Sequence, residues 1–205
     1  MDVIGLKGNL QLSYDRHAEG RNRVPKDDWK VAERDLFLSY MEESGLRSIL
    51  EIGAGTGQDS MFFIESGLVT TATDLSGEMV RLCSEKGINA HQMDCYDLQF
   101  SNESFDAVWS LNCLLHVPKE DLGGVLAGIR RVLKSGGLFY LGVYGGQNSE
   151  GVWEDDSYQP KRFFSFHDDR AMKAAVSQYF DVLYFRSVDY GDDLLHFQSM
   201  ILKRM

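Results

Sequence analysis

The sequence predicts an α/β protein: a doubly wound, mostly parallel seven-stranded sheet with an antiparallel C-terminal strand and helices on both faces. Three observations carry that expectation. Short apolar, β-branched runs alternate with amphipathic stretches, which places successive strands parallel with helices as crossovers. A glycine-rich turn, "GAGTG" over Gly53–Gly57, follows the first run and opens a helix. The last two extended runs follow each other without a helix, so one of them enters antiparallel.

The elements read as follows. From Asp27 to Ser44, Trp29, Ala32, Leu36, Leu38, Tyr40 and Met41 give an amphipathic helix its apolar face, and Gly45 suits its end. "RSILEI" is a short buried strand, and "TGQDSMFFIESG" a helix that stops near Gly67. "LVTTATDL" is a β-branched second strand, and Ser76 caps the helix that carries Met79 and Val80. "INAHQMD" and "FDAVWSL" are the next two strands. "PKEDLGGVLAGIRRVLKSGG" is the clearest helix. Pro118 sits in its first turn, Glu120 and Asp121 lie near its positive end, and "SGG" closes it. "LFYLGVY" is the fifth strand. An aromatic, polar insert runs from Gly145 to His167, followed by a helix in "DDRAMKAAVSQYF" and strands in "DVLYFRSV" and "LLHFQSMILKR".

The 205 residues, 43% hydrophobic and 25% charged, fit one domain over 1–205, with an N-terminal lid and helix over 1–45. No apolar run approaches the ~20 residues that span a bilayer. "MDVIGLKGNLQLSYDRH" lacks a basic region followed by an apolar core, so no secretory leader is expected. The net charge of −10, from 21 basic and 31 acidic residues, argues against nucleic-acid or anionic-membrane partners. Cys83, Cys95 and Cys113 lack any C-x-x-C or metal-ligand spacing. They read as reduced thiols of a cytoplasmic protein that holds no metal.

Which ligand the glycines admit is decided by their neighbours. The spacing E-x-G-x-G-x-G lacks the G-x-G-x-x-G phosphate turn, and Asp59 at the helix start is a poor neighbour for a pyrophosphate. Glu51, in the strand before the loop, suits a ligand that bears positive charge. Asp74 ends the second strand about 20 residues beyond the glycines, where an acid accepts from ribose hydroxyls; the other reading is a helix cap. Asp94 ends the third strand and is placed to accept from a purine amine. Asp97 fits better as a turn residue.

These motifs, in order and at fitting spacing, resemble the class I S-adenosylmethionine-dependent methyltransferases from about Trp29 to Tyr144. "ILEIGAGTG" resembles the family's glycine loop, "TATDLS" its ribose-binding turn and "MDCYDL" its adenine turn. "FDAVWSLNCLLHV" and "VLKSGGLFYL" resemble the fourth strand and the turn into the fifth. The resemblance implies a Rossmann-like fold, S-adenosyl-L-methionine as cofactor and S-adenosyl-L-homocysteine as product. It implies that Gly53 and Gly55 line the methionine part, with Gly57 keeping the helix entry close. Asp74 would bind the ribose, Asp94 and the Cys95 backbone the adenine, and Leu75 would pack on that ring. Leu111 and Asn112 would lie near the transferring methyl. Glu51 and Asp106 read equally well as structural. Tyr14, in "YDRHAEGRNR", resembles an aromatic lid residue or else packs a helix. The basic cluster Arg16, His17, Arg21 and Arg23 faces an anion or solvent.

His116, in "LLHV", is the candidate general base, against a structural, hydrogen-bonded histidine. The insert's Tyr144, Trp153, Tyr158, Phe163 and Phe164 wall an acceptor pocket or form a satellite core. Lys161, Arg162 and His167 add polar handles there. Aromatics mixed with acids suit a small organic acceptor, an amine or a planar hydroxylated compound. An RNA methyltransferase and a non-catalytic cofactor-binding protein remain the alternatives.

Overall fold

The computed structural model describes residues 3–191 and 194–205; the first two residues of the expected lid lie outside that range. Six helices are described: α1 (Val3–Arg21), α2 (Asp28–Glu43), α3 (Gln58–Glu65), α4 (Gly77–Glu85), α5 (Lys119–Val132) and α6 (Asp169–Val176). The strands are β1 (Ser48–Ile52), β2 (Val69–Asp74), β3 (Asn89–Gln92), β4 (Phe105–Leu111), β5 (Leu133–Gly145), β6 (Ser149–Val152), β7 (Phe163–Phe166), β8 (Asp181–Val188) and β9 (His196–Lys203). Seven of them form one sheet in the order β3-β2-β1-β4-β5-β9-β8. The pairs from β3 through β5 are parallel, whereas β9 runs antiparallel to both β5 and β8. The antiparallel strand inferred from two successive extended runs is thus β9. The order reverses at β1, between β2 and β4, which is where such sheets bind ligands.

Strand alternation divides the core into two layers. Leu50, Ile52, Val108 and Leu141 pack with Leu122, Leu126 and Ile129 of α5 and Met172 of α6. Ile49, Ala107, Trp109 and Tyr140 point the other way, against Phe37 and Met41 of α2 and Phe63 of α3. Trp109 stacks on Tyr140 at 3.9 Å, which locks β4 to β5.

Three features depart from the expected elements. No helix was expected before Asp27, because the apolar residues of α1 fall on no single face. Only Ser13 and Ala18 of α1 are buried. The helix is held by tertiary contacts instead: Asp15 accepts from Ser76 Oγ at 2.5 Å, and Ala18 packs with Met79 and Leu82 of α4. The helix expected to run through "SGG" ends at Val132, and Leu133 pairs with Phe105. Those glycines serve an irregularity between β4 and β5: Gly136 has φ +75, and a Cβ on Gly137 would lie 2.8 Å from Asp106 O. Finally, the insert contains the hairpin β6–β7, with Ser149 opposite Phe166.

Candidate functional site

A cavity of about 380 Å³ opens at the carboxyl ends of β1, β2 and β4. Its floor carries the expected Gly53, Gly55, Asp74 and Leu75; its walls carry Asp94, Cys95, Leu111, Asn112 and His116; Tyr14 of α1 roofs it. Gly57 is the exception. It lies off the wall, where its Cβ would meet Ile88 Cδ1 at 2.4 Å and Cys83 Sγ at 2.9 Å. Its part is close packing of α3 onto α4 and β3.

The other two glycines differ from each other. Gly53 (φ +73) is pressed on Cys113, whose Cβ would lie 2.5 Å from an added Cβ. Gly55 (φ +56) has nothing within 4 Å of that position. The Gly55 N–H donates to Asp74 Oδ2 at 2.8 Å, and Ser76 N–H donates to Oδ1 at 2.9 Å. Burial pushes the Asp74 carboxyl up to about 6 despite these donors and the nearby Arg21.

Glu51 is buried and accepts from Ser60 Oγ. Burial, then the Asp59 charge, push its carboxyl up to about 8. The anion at this end is Asp59, which takes Lys26 at 2.6 Å, Arg34 at 3.3 Å and Trp109 Nε1–H at 3.0 Å. Its charge is therefore compensated, which sequence spacing did not reveal. Asp94 accepts from Tyr96 N–H at 3.0 Å and pairs with Lys7 of α1 at 2.8 Å. Lys7 also lies 3.4 Å from the Tyr96 ring centroid. Asp97 does not line the cavity. The neighbouring Cys95 thiol, together with burial, pushes the Cys113 thiol well up. Asn112 has φ +56, unusual for a side-chain-bearing residue, and its buried Oδ1 has no partner among the described residues.

Asp106 lies away from the cavity. It accepts from Arg47 N–H, Ser48 N–H and Ser48 Oγ at 3.0, 2.9 and 2.9 Å, and pairs with Lys134 at 2.7 Å. These donors hold its carboxyl well below the usual range, against the opposing effect of burial. It is a structural acid.

The roof forms where α1 meets the insert. Tyr14 Oη is 2.8 Å from His116 Nε2, and His116 Nδ1 is 2.7 Å from the Phe163 carbonyl oxygen. A carbonyl only accepts, so Nδ1 carries the proton and Nε2 accepts from Tyr14. Both ring nitrogens are committed, and burial pushes His116 down to about 4. Arg162 donates to Tyr14 Oη at 3.2 Å and is itself held by Asp156 at 2.8 and 2.9 Å. Ser13 Oγ donates to Pro160 O, Arg16 to Gln159 O, and His17 stacks on Tyr158 at 3.8 Å. Of the basic cluster, Arg21 and Arg23 are both exposed; Arg21 sits at the cavity rim and donates to Tyr158 Oη at 3.2 Å, while Arg23 lies off the wall.

The structure divides the insert. Tyr158 and Phe163 line the cavity; Trp153 and Phe164 pack with Phe166 on the hairpin, and Tyr144 packs on Tyr190 and Phe197. Lys161 reaches out to Glu154, and His167 is buried off the cavity wall. Lys7 and Lys26 are wall residues without a sequence signal, because each arrives from a segment that carries no motif, whereas Tyr96 lies inside the "MDCYDL" turn without being singled out there.

Residues 50–141 match a family described as a methyltransferase domain. Among curated relatives, malonyl-[acyl-carrier protein] O-methyltransferase of Pseudescherichia vulneris is 30% identical over 137 residues, 66% of this chain and 50% of that protein. Demethylmenaquinone methyltransferase of Tropheryma whipplei is 32% identical over 150 residues, 63% of this chain and 62% of that protein. The chain thus spans between half and two thirds of the length of these two relatives. The fold matches Burkholderia thailandensis 1,6-didemethyltoxoflavin-N1-methyltransferase, with bound 1,6-didemethyltoxoflavin and S-adenosylhomocysteine, at TM-score 0.74 and 20% identity, covering 96% of this chain and 87% of that one.

Proposed function

We propose that the chain is a class I S-adenosylmethionine-dependent methyltransferase and that it methylates a small organic acceptor in the cavity under α1. The observation that carries this reading is the Asp74 carboxylate at the end of β2, held by the Gly55 amide on the cavity floor. An anionic acceptor of ribose hydroxyls and an open glycine thereby sit side by side. The volume of about 380 Å³ is in the range of small-ligand sites. The curated relatives named above are a malonyl-[acyl-carrier protein] O-methyltransferase and a demethylmenaquinone methyltransferase, which supports an organic acceptor rather than RNA.

Bound there, S-adenosyl-L-methionine supplies an activated methyl group, and the protein's own task is placement and exclusion of water. We assign Asp74 to the ribose hydroxyls, Asp94 and the Cys95 backbone to the adenine edge, and Leu75 to its face. Gly53 and Gly55 take the methionine part, with Leu111 and Asn112 beneath the reacting carbon. Tyr14 covers the site, and any proton that reaches His116 passes through Tyr14, because no ring nitrogen of His116 is free. Calorimetry with S-adenosyl-L-methionine and S-adenosyl-L-homocysteine tests the cofactor, and transfer of labelled methyl across a metabolite library tests the reaction. Micromolar binding that weakens at least about tenfold in Asp74→Ala is expected, since the substitution removes more than one hydrogen bond to a charged group. No binding by the wild type refutes the assignment.

A further inference from the structure

We propose that the acceptor is a planar weak acid bound as its conjugate base, an enol, a phenol or an acidic N–H heterocycle, seated among Tyr14, Tyr158 and Phe163 beside Arg21. This rests on the methyltransferase reading and narrows its substrate. The first argument is shape. The roof offers the Tyr14 ring and the buried Phe163 ring; Tyr158 meets Tyr14 edge to face at 6.0 Å and presents its edge and hydroxyl, because its faces are covered by His17 and Arg162. Rings so placed suit a flat partner.

The second argument is charge. Most ions along the cavity are paired: Lys7 with Asp94, Lys26 with Asp59, Lys30 with Asp27. Arg162 is neutralised by Asp156. Glu51 is buried on Ser60 Oγ without a cation in contact. Arg21 makes no ion pair among the described residues; its one hydrogen bond there is to Tyr158 Oη, and its guanidinium carbon lies 5.4 Å from the Tyr14 ring. The charge that balances it across the cavity is Asp74, which is engaged by the Gly55 and Ser76 amides. A cofactor whose ammonium and carboxylate offset each other adds a sulfonium charge to this site. The surplus is positive, so an anion is attracted and a protonated amine repelled.

The third argument is the lack of a competent base. His116 is neutral, with Nδ1–H on the Phe163 carbonyl and Nε2 on Tyr14. Arg162 and Arg21 both oppose a charge on it. Such a group does not strip an alkylammonium. An acceptor already present as its anion needs no base: its lone pair forms the new bond to the methyl carbon as the carbon–sulfur bond breaks. That electron pair stays on sulfur, and no proton is left to place.

The probe is 4-nitrophenol, whose ionisation changes its colour, titrated with pH in the presence of protein and S-adenosyl-L-methionine; benzylamine is the cationic counterpart. Cofactor uptake is read separately by calorimetry. Bound dye is expected to ionise with a constant at least about tenfold larger than in water, with benzylamine binding at least about tenfold more weakly than the dye. Arg21→Gln should return the constant to within about twofold of water, and Arg21→Lys should keep most of the shift. Protein that takes up cofactor but leaves the dye unshifted or unbound, or prefers benzylamine, overturns the inference and leaves the methyltransferase reading standing. Protein that takes up no cofactor overturns both.

Discussion

The two cavity glycines, Gly53 and Gly55, have the same backbone handedness and opposite surroundings, so one substitution at each separates packing from ligand contact. Both have positive φ, +73 and +56, and an alanine at either carries the left-handed penalty of about 1–2 kcal/mol. At Gly53 the new Cβ also meets Cys113 Cβ at 2.5 Å and Sγ at 2.6 Å. A Cβ cannot rotate away, so the turn after β4 must shift, an overpacking cost of about 1–3 kcal/mol. Gly53→Ala should therefore lose about 3 kcal/mol, which for a chain of 205 residues lowers Tm by roughly 6–12 °C. Gly55→Ala meets nothing within 4 Å, and should lose only about 1–2 kcal/mol. Its methyl enters the space the cofactor needs, so affinity for S-adenosyl-L-homocysteine should fall at least about tenfold, or ~1.4 kcal/mol. Urea unfolding and calorimetry on both variants are the assays. Adding Cys113→Gly to Gly53→Ala should recover about 1–2 kcal/mol in a double-mutant cycle, because it removes the opposing atoms. Equal destabilisation of the two alanine variants, or no recovery in the cycle, refutes the packing argument.

Three further outcomes follow from named groups. With the Asp74 carboxyl pushed up to about 6, the proposed ribose contact predicts cofactor affinity that is flat above pH 7 and falls up to about tenfold per unit below pH 6, as that carboxylate protonates. Asp74→Asn should bind weakly without that slope, and an identical slope in the variant counts against the assignment. His116 is held down to about 4 from 6.5, so folding excludes its proton. Stability is then lost as pH falls from about 6.5 to 4, by roughly 3 kcal/mol, and His116→Gln should flatten the pH dependence of the urea midpoint by that amount. Asp106→Asn weakens contacts to Arg47, Ser48 and Lys134 outside the cavity. It should cost about 1–3 kcal/mol of stability while leaving cofactor affinity within twofold in calorimetry.

Most of the sheet was legible because its strands and helices carry their own periodicity. α5 announces itself by Leu122, Val125, Leu126 and Ile129, all on one buried face. α1 carries no such stripe; its position depends on Asp15 reaching Ser76 of the α4 cap, a contact between residues 61 apart. The same holds for the site. The glycines, Asp74 and Asp94 sit at strand ends, where chain order alone places them on one edge of the sheet. Lys7 comes from a helix folded back over that edge, and nothing local in its sequence says so; Tyr158 and Phe163 were legible as part of an aromatic-rich insert, but nothing local separates them from Trp153 and Phe164, which pack on the hairpin.

That difference also bears on how the site works. The cofactor side rests on strand ends buried in the sheet. The roof rests on a seam between α1 and the insert, made by Tyr14–Arg162, Ser13–Pro160, Arg16–Gln159 and the His17–Tyr158 stack. No helix of the described residues is long and apolar enough to cross a membrane. Most of these contacts are polar and partly exposed, each worth about 1 kcal/mol. A roof so held opens at far lower cost than the sheet unfolds, which is what a ligand needs to enter a cavity that α1 covers. Tyr158→Ala removes the stack and the Arg21 hydrogen bond together. It should raise the dissociation rate of S-adenosyl-L-homocysteine in stopped flow by about tenfold while Tm moves by only a few degrees. Unchanged release with a large loss of Tm would make the seam part of the core instead.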